Sequence, residues 1–198
     1  MGWVDKRDSV ALGRQHAERA LALDDRNPWG YSALGYAAMM QRRPEEAIAA
    51  FRGAVNLTPS SAAAHAHLSR GLAFAGCSDE AIEHGEAAMR LSPLDPEMPL
   101  FRGGIAIAHY TARRFDEALQ LTEENLRLRP GFQGGQRLHC ASLAQSGRVA
   151  EARTFLSIIR RTHRPPLTTA WVRENVPYQT PELMELFIEG LRKAGMTH

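Results

Sequence analysis

Cysteine is nearly absent from this chain. Cys77 and Cys140 cannot build a disulfide framework, so packing must hold the fold, and a reducing, cytoplasmic setting is expected. An excess of one charge is also missing. The 24 basic and 22 acidic side chains leave a formal charge of +2, which gives no general attraction to phosphate backbones or anionic membranes. Long hydrophobic runs do not occur. Arg, Glu or His interrupts every apolar stretch, so none reads as a bilayer span. The opening Met1-Gly2-Trp3-Val4-Asp5 lacks the apolar core of a signal peptide. Catalytic motifs are missing too: there is no HExxH, CxxC, GxxxxGKS/T or GxSxG, and Gly103-Gly104 and Gly134-Gly135 are isolated pairs. Among the eight histidines, His65 and His67 are two apart and would point to different faces of a helix. His109 and His139 stand far along the chain. No metal, no cofactor and no enzymatic activity of its own are expected.

What the sequence does have is a period. Leu34 and Leu68, Ala47 and Ala81, Ala54 and Ala88, and Pro59 and Pro93 are each 34 residues apart. After a three-residue slip, Ile105, Ala118, Asn125 and Pro130 fall into the same register. His139, Ala152 and Ile159 follow 34 residues later, and the copy ends near Arg164-Pro165-Pro166. The complete copies therefore read as 28–61, 62–95, 99–132 and 133–166, with Asp95-Pro96-Glu97-Met98 spanning the slip.

Each copy reads as a helix, a turn and a second helix. Asn27 followed by Pro28 is a cap-and-start signal. Tyr31, Leu34, Gly35 and Ala38 then recur at helical spacing. A turn at Arg42-Arg43-Pro44 precedes a second helix with Ala47, Phe51 and Ala54, which stops before Pro59. These residues resemble the tetratricopeptide repeat consensus. Later copies drift from it at Gly85, Thr122, Asn125, His139-Cys140 and Ile159. The resemblance covers about residues 4–166. It implies an all-α fold, a right-handed superhelical solenoid of antiparallel helix pairs, that binds a protein or peptide segment in its concave groove.

The ends depart from the pattern. Residues 1–27 read as a partial first repeat, with a second helix over Ser9–Leu23 and a first helix reduced to a few residues around Trp3. A homodimer formed through this incomplete repeat is one expectation. Residues 167–198 read as C-terminal capping helices, Thr180–Ala194 docking through Leu183, Phe187 and Leu191 onto the last repeat. The alternative is that this helix folds into the groove as a built-in pseudo-ligand. A looser resemblance, carried by Gly2-Trp3, Arg19–Asp24, Asn27-Pro28-Trp29 and Phe187–Gly195, is to the C-terminal repeat region of bacterial adenylate/guanylate cyclase-like signalling proteins. It implies a signalling context and no catalysis here. A nucleotide sensor or enzyme fragment is a further alternative.

The resemblance also implies which residues line the groove: Trp29, Tyr36 and Met40, then Arg70 and Phe74, then Ile107 and Tyr110, then Arg137 and Gln145. Aromatic, Met and Arg side chains are the types enriched where proteins bind proteins. Tyr36 and His67 stand where a chaperone-type carboxylate clamp has asparagines, so capture of a free acidic C-terminus is not expected. Arg42-Arg43 and Arg113-Arg114 suggest a basic edge, but Glu45-Glu46 and Asp116-Glu117 follow at once, so no nucleic-acid partner is expected.

Overall fold

The computed structural model describes residues 6–197, so the expected short helix around Trp3 lies outside the described residues. Among those described there are eleven helices and no strand. Helix α1 runs Lys6–Leu23. Four antiparallel pairs follow: α2 Pro28–Met40 with α3 Pro44–Leu57, α4 Ala62–Ala75 with α5 Ser78–Leu91, α6 Met98–Thr111 with α7 Phe115–Leu128, and α8 Gln133–Gln145 with α9 Val149–Thr162. The short α10, Thr169–Asn175, and α11, Pro181–Lys193, complete the chain. No helix is long and apolar enough to cross a membrane among the described residues.

The first helices of the pairs (A helices) pack on one another, α2 on α4, α4 on α6 and α6 on α8, as well as on their partners. The second helices (B helices) pack instead on the A helices that flank them. The A helices therefore form the inner wall of the solenoid. The close approach rests on small residues. Ala47, Ala81, Ala118 and Ala152 recur at one position of the B helices and are all fully or nearly fully buried. Their neighbours one turn on differ from pair to pair, and the opposing helices compensate. Phe51 is wholly buried between Gly35 and Gly71, where an added Cβ would lie 2.6 and 2.7 Å from its ring. At the corresponding place of the next pair stands Gly85, and Ile105 fills the space, 2.4 Å from the position a Cβ would take.

Every A helix ends alike. Arg42, Gly76, Arg113 and Gly147 take positive φ values of 57°, 88°, 60° and 86°. The next N–H then reaches back five residues, Arg43 to Ala38 O, Cys77 to Leu72 O, Arg114 to His109 O and Arg148 to Leu143 O, at 2.8 to 3.0 Å. This Schellman closure satisfies carbonyls that the helix leaves open. Glycine adopts the left-handed backbone freely, whereas arginine there costs about 1–2 kcal/mol. The three-residue slip is an added turn before α6, in which Met98 N–H bonds Asp95 O and Glu97 N–H bonds the Asp95 carboxylate.

The glycines supply a test with opposite signs. Gly35→Ala should destabilise the fold by about 1–3 kcal/mol, because the Phe51 ring is boxed in by Gly71 and cannot retreat. Gly103→Ala, in α6 with nothing within 4 Å, should gain about 0.5–1 kcal/mol from helix propensity. Urea unfolding of both variants checks the pair.

Candidate binding groove

The inner wall is not empty. After α10 the chain runs across the C-terminal ends of the A helices and touches all four. Gln179 N–H donates to Phe74 O at 3.1 Å, and the Gln179 amide donates to Met39 O at 3.0 Å. The Arg42 guanidinium donates to Arg173 O. The buried Tyr110 hydroxyl donates to Leu186 O at 3.0 Å, and Gln145 Nε2 donates to the same oxygen at 3.0 Å. Lys193 Nζ returns to Gln145 Oε1 at 2.8 Å. Rings continue the contact. Phe74 meets Tyr178 edge-on at 5.1 Å, Tyr178 meets Phe187 at 5.1 Å, and Phe187 meets Tyr110 at 5.8 Å. Such pairs add about 0.5–1.5 kcal/mol each beyond area burial. Helix α11 comes so close to α8 that a Cβ on Gly190 would lie 2.9 Å from both Ala141 O and the Tyr110 hydroxyl. The last helix thus lies along the inner wall, against the last A helix, with Leu183 reaching back to the turn at Gly76.

Beside this segment a cavity of about 380 Å³ remains. Of the residues expected to line the groove, Met40, Arg70, Phe74, Ile107 and Arg137 face it. Trp29 is 69% exposed on the first turn of α2 and stands outside it. Tyr36 packs edge-on against Phe51 at 5.6 Å and His67 at 5.0 Å. Tyr110 and Gln145 need correction as open contact residues. Helix α11 covers both, and an outside segment could reach them only if that helix left. Sequence reasoning missed Trp171 and Tyr178, which bound the cavity from the C-terminal side together with Phe187, a residue expected to dock the last helix. They lie outside the repeat, so the period carried no signal for them.

Two guanidinium groups define the electrostatics. Arg70 Cζ lies between two rings, 5.8 Å from the centroid of Tyr36 and 5.9 Å from that of Phe74. Arg137 Cζ lies 4.8 Å over Trp171, and its Nη1 is 3.2 Å from His163 Nε2. His163 Nδ1 faces Pro165 O at 2.6 Å. A carbonyl can only accept, so Nδ1 carries the proton and Nε2 accepts from Arg137. Among the described residues neither arginine has a carboxylate within ion-pair distance. Burial, and then the Arg70 charge, bring Arg137 down to about 10, which leaves it cationic at neutral pH. The same two causes hold His67 at about 4, so it is neutral there.

Elsewhere the chemistry is structural. Burial pushes the Cys140 thiol up to about 12, far from a nucleophilic thiolate. The basic edge is engaged locally: Arg43 pairs with Glu46 at 3.4 Å and Arg114 with Asp79 at 3.5 Å. No group of three His, Cys, Asp or Glu side chains converges as a metal site among the described residues.

This architecture has known counterparts. PilW, a type IV pilus biogenesis factor, superposes with a TM-score of 0.68 over 90% of this chain and 78% of its own, at 15% identity. Pseudomonas aeruginosa PilF gives 0.64 over 96% and 88%, at 17% identity. YrrB, described as a TPR protein with an unusual peptide-binding site, gives 0.53 over 90% of both chains, at 18% identity. The fold is a tetratricopeptide-repeat solenoid. At these identities the likeness is one of fold alone. In sequence, anaphase-promoting complex subunit 7 of Arabidopsis thaliana is 30% identical over 132 residues, which are 67% of this chain and 23% of that one. This chain therefore spans under a quarter of its curated relative. No family model matches it.

The docking of α11 on this solenoid can be weakened in two steps. Tyr110→Phe should cost about 1 kcal/mol, since Leu186 O keeps its bond from Gln145. Gly190→Val should detach the helix, because its side chain would meet the Ala141 backbone. Hydrogen exchange should then show faster exchange over 181–193 in the valine variant, with α3 and α5 unchanged.

Proposed function

We propose that this chain is a non-catalytic interaction scaffold whose concave groove receives a segment of another protein. The segment carries an apolar or aromatic side chain next to a carboxylate, held as a helix or an extended strand. The observation that carries this reading is the pair Arg70 and Arg137, which are cationic, braced by aromatic rings and, among the described residues, unpaired with any carboxylate in an apolar concavity. Arginine can meet a carboxylate through two parallel hydrogen bonds. The peptide-binding site in the name of YrrB supports the use of this fold for peptides. The name of the plant subunit, a component of a complex, supports a scaffold role. We place the chain within a larger bacterial signalling protein, cyclase-like or other, on the terminal sequence resemblance.

Binding of capped peptides that combine an aromatic and an acidic side chain, followed by calorimetry, tests this. Arg70→Ala should cost about 1–2 kcal/mol of binding. Arg153→Ala, on the exposed side of α9, should cost nothing. Binding lost in the Arg153 variant and kept in the Arg70 variant would place the site elsewhere.

Self-association is a second reading, favoured by α1. Gly13 stands one period before Ala47, yet a Cβ there would meet nothing within 4 Å among the described residues, and the adjacent Leu12 is 48% exposed. A second copy could cover this face. Light scattering over a concentration series should then show a dimer that Leu12→Glu dissociates. A monomer at every concentration rejects it.

A further inference from the structure

We infer that the cavity between the inner wall and residues 171–178 binds a small organic acid, one carboxylate carried on an apolar or aromatic body. This deepens the groove reading and rests on it for the location of the site.

Size comes first. At about 380 Å³ the space is in the range of small-molecule pockets. It is too small for a helical segment, whose diameter with side chains is about 10–12 Å. The C-terminal segment also shuts one side: Val176 and Tyr178 are buried there, and Trp171 of α10 stands at the rim. A compact ligand therefore fills the cavity itself, into which a segment lying along the groove would insert only a side chain.

Chemistry comes second. The walls supplied by Met40, Leu100, Ile107 and Phe187 are apolar and suit a hydrocarbon or aromatic body. At one side stand the two guanidinium groups. Arg70 Nε is buried with no hydrogen-bond partner, and a buried N–H of a charged group left unpaired is costly. Arg137 uses one N–H on His163 and rests its face on Trp171, which leaves its other donors for a ligand. The two cations repel, which after burial is the second cause that lowers the Arg137 pKa. A single carboxylate between them would remove the repulsion and accept from both forks. Neutral His67, beside Arg70, adds no third charge.

The test is calorimetry and thermal unfolding of the full chain with 3-phenylpropionate. The controls are its neutral amide, inorganic phosphate, and a capped peptide with an aromatic and an acidic side chain. Saturable binding of the acid is expected, with a rise in Tm, and at least about tenfold weaker binding of the amide. Phosphate, which has no apolar body, should not compete. Arg70→Gln and Arg137→Gln should each weaken the acid by about tenfold or more. Arg137→Lys should do so as well, because an ammonium keeps the charge and loses the fork. No binding of the acid to the wild-type chain, or equal binding of acid and amide, would overturn the inference without reference to any variant. Binding of the peptide with none of the free acid would also overturn it, and would leave the groove reading standing.

Discussion

A stack of helix pairs buries only the faces that its neighbours cover. In this solenoid the uncovered place is the inner wall, where four A helices end and leave carbonyls and apolar side chains facing inward. Residues 176–191 meet both demands at once. Gln179 takes the carbonyls of Met39 and Phe74, Leu186 O accepts from Tyr110 and Gln145, and Tyr178 and Phe187 fill the space between the rings of Phe74 and Tyr110. One strap thereby ties together helices that lie three repeats apart. Solenoids otherwise hold each repeat only through its neighbours, so this strap adds long-range contacts to a fold that is mainly local.

Only the helical part of the strap was legible in the sequence: the stripe of Leu183, Phe187 and Leu191 marked a docking helix, with the groove as its alternative seat, while residues 176–179 carried no signal. Periodicity reports what repeats, and the strap occurs once. Arg42 read as part of a solvated edge, yet it donates to Arg173 O, 131 residues away. Tyr110 read as a groove contact, yet it is wholly buried under α11. The helix pairs and the residues where helices touch were legible, because Ala47, Ala81, Ala118 and Ala152 recur wherever two helices come closest. Five of the nine expected groove residues line the cavity, since position within an A helix decides which side chains point inward. Trp29 stands outside the cavity, whereas Leu100 at the same repeat position of α6 lines it, and Trp171 was invisible because it belongs to no repeat.

Drift from the repeat pattern turns out to be exchange of volume. Phe51 needs glycine at 35 and 71. Where the aromatic is lost at Gly85, Ile105 enters from the next A helix and Ser69 takes the place of Gly35. Where Asn125 replaces alanine, its amide nitrogen donates to Pro99 O at 3.0 Å, while its side-chain oxygen stays buried without a hydrogen-bond partner among the described residues. A consensus scores each position alone, whereas close packing constrains the sum of opposing volumes.

Charge is arranged by the same separation of inside from outside. On the outer edges arginines sit beside acids: Arg52 with Glu80, Arg129 with Glu97, Arg148 with Glu151. These exposed pairs add little stability and are screened by salt, but they cancel the field locally. Arg70 and Arg137 have no such neighbours among the described residues and face a concavity with low-dielectric walls, where screening is weak and field lines concentrate. A polyanion gains affinity from many cations spread along its backbone, and two guanidiniums in an enclosed cavity cannot follow one. A single carboxylate on an apolar body asks for what is present: two forked donors, hydrocarbon walls and no competing acid. The near-zero net charge of the chain thus conceals a local anion preference, set by where two of its arginines stand without a carboxylate among the described residues.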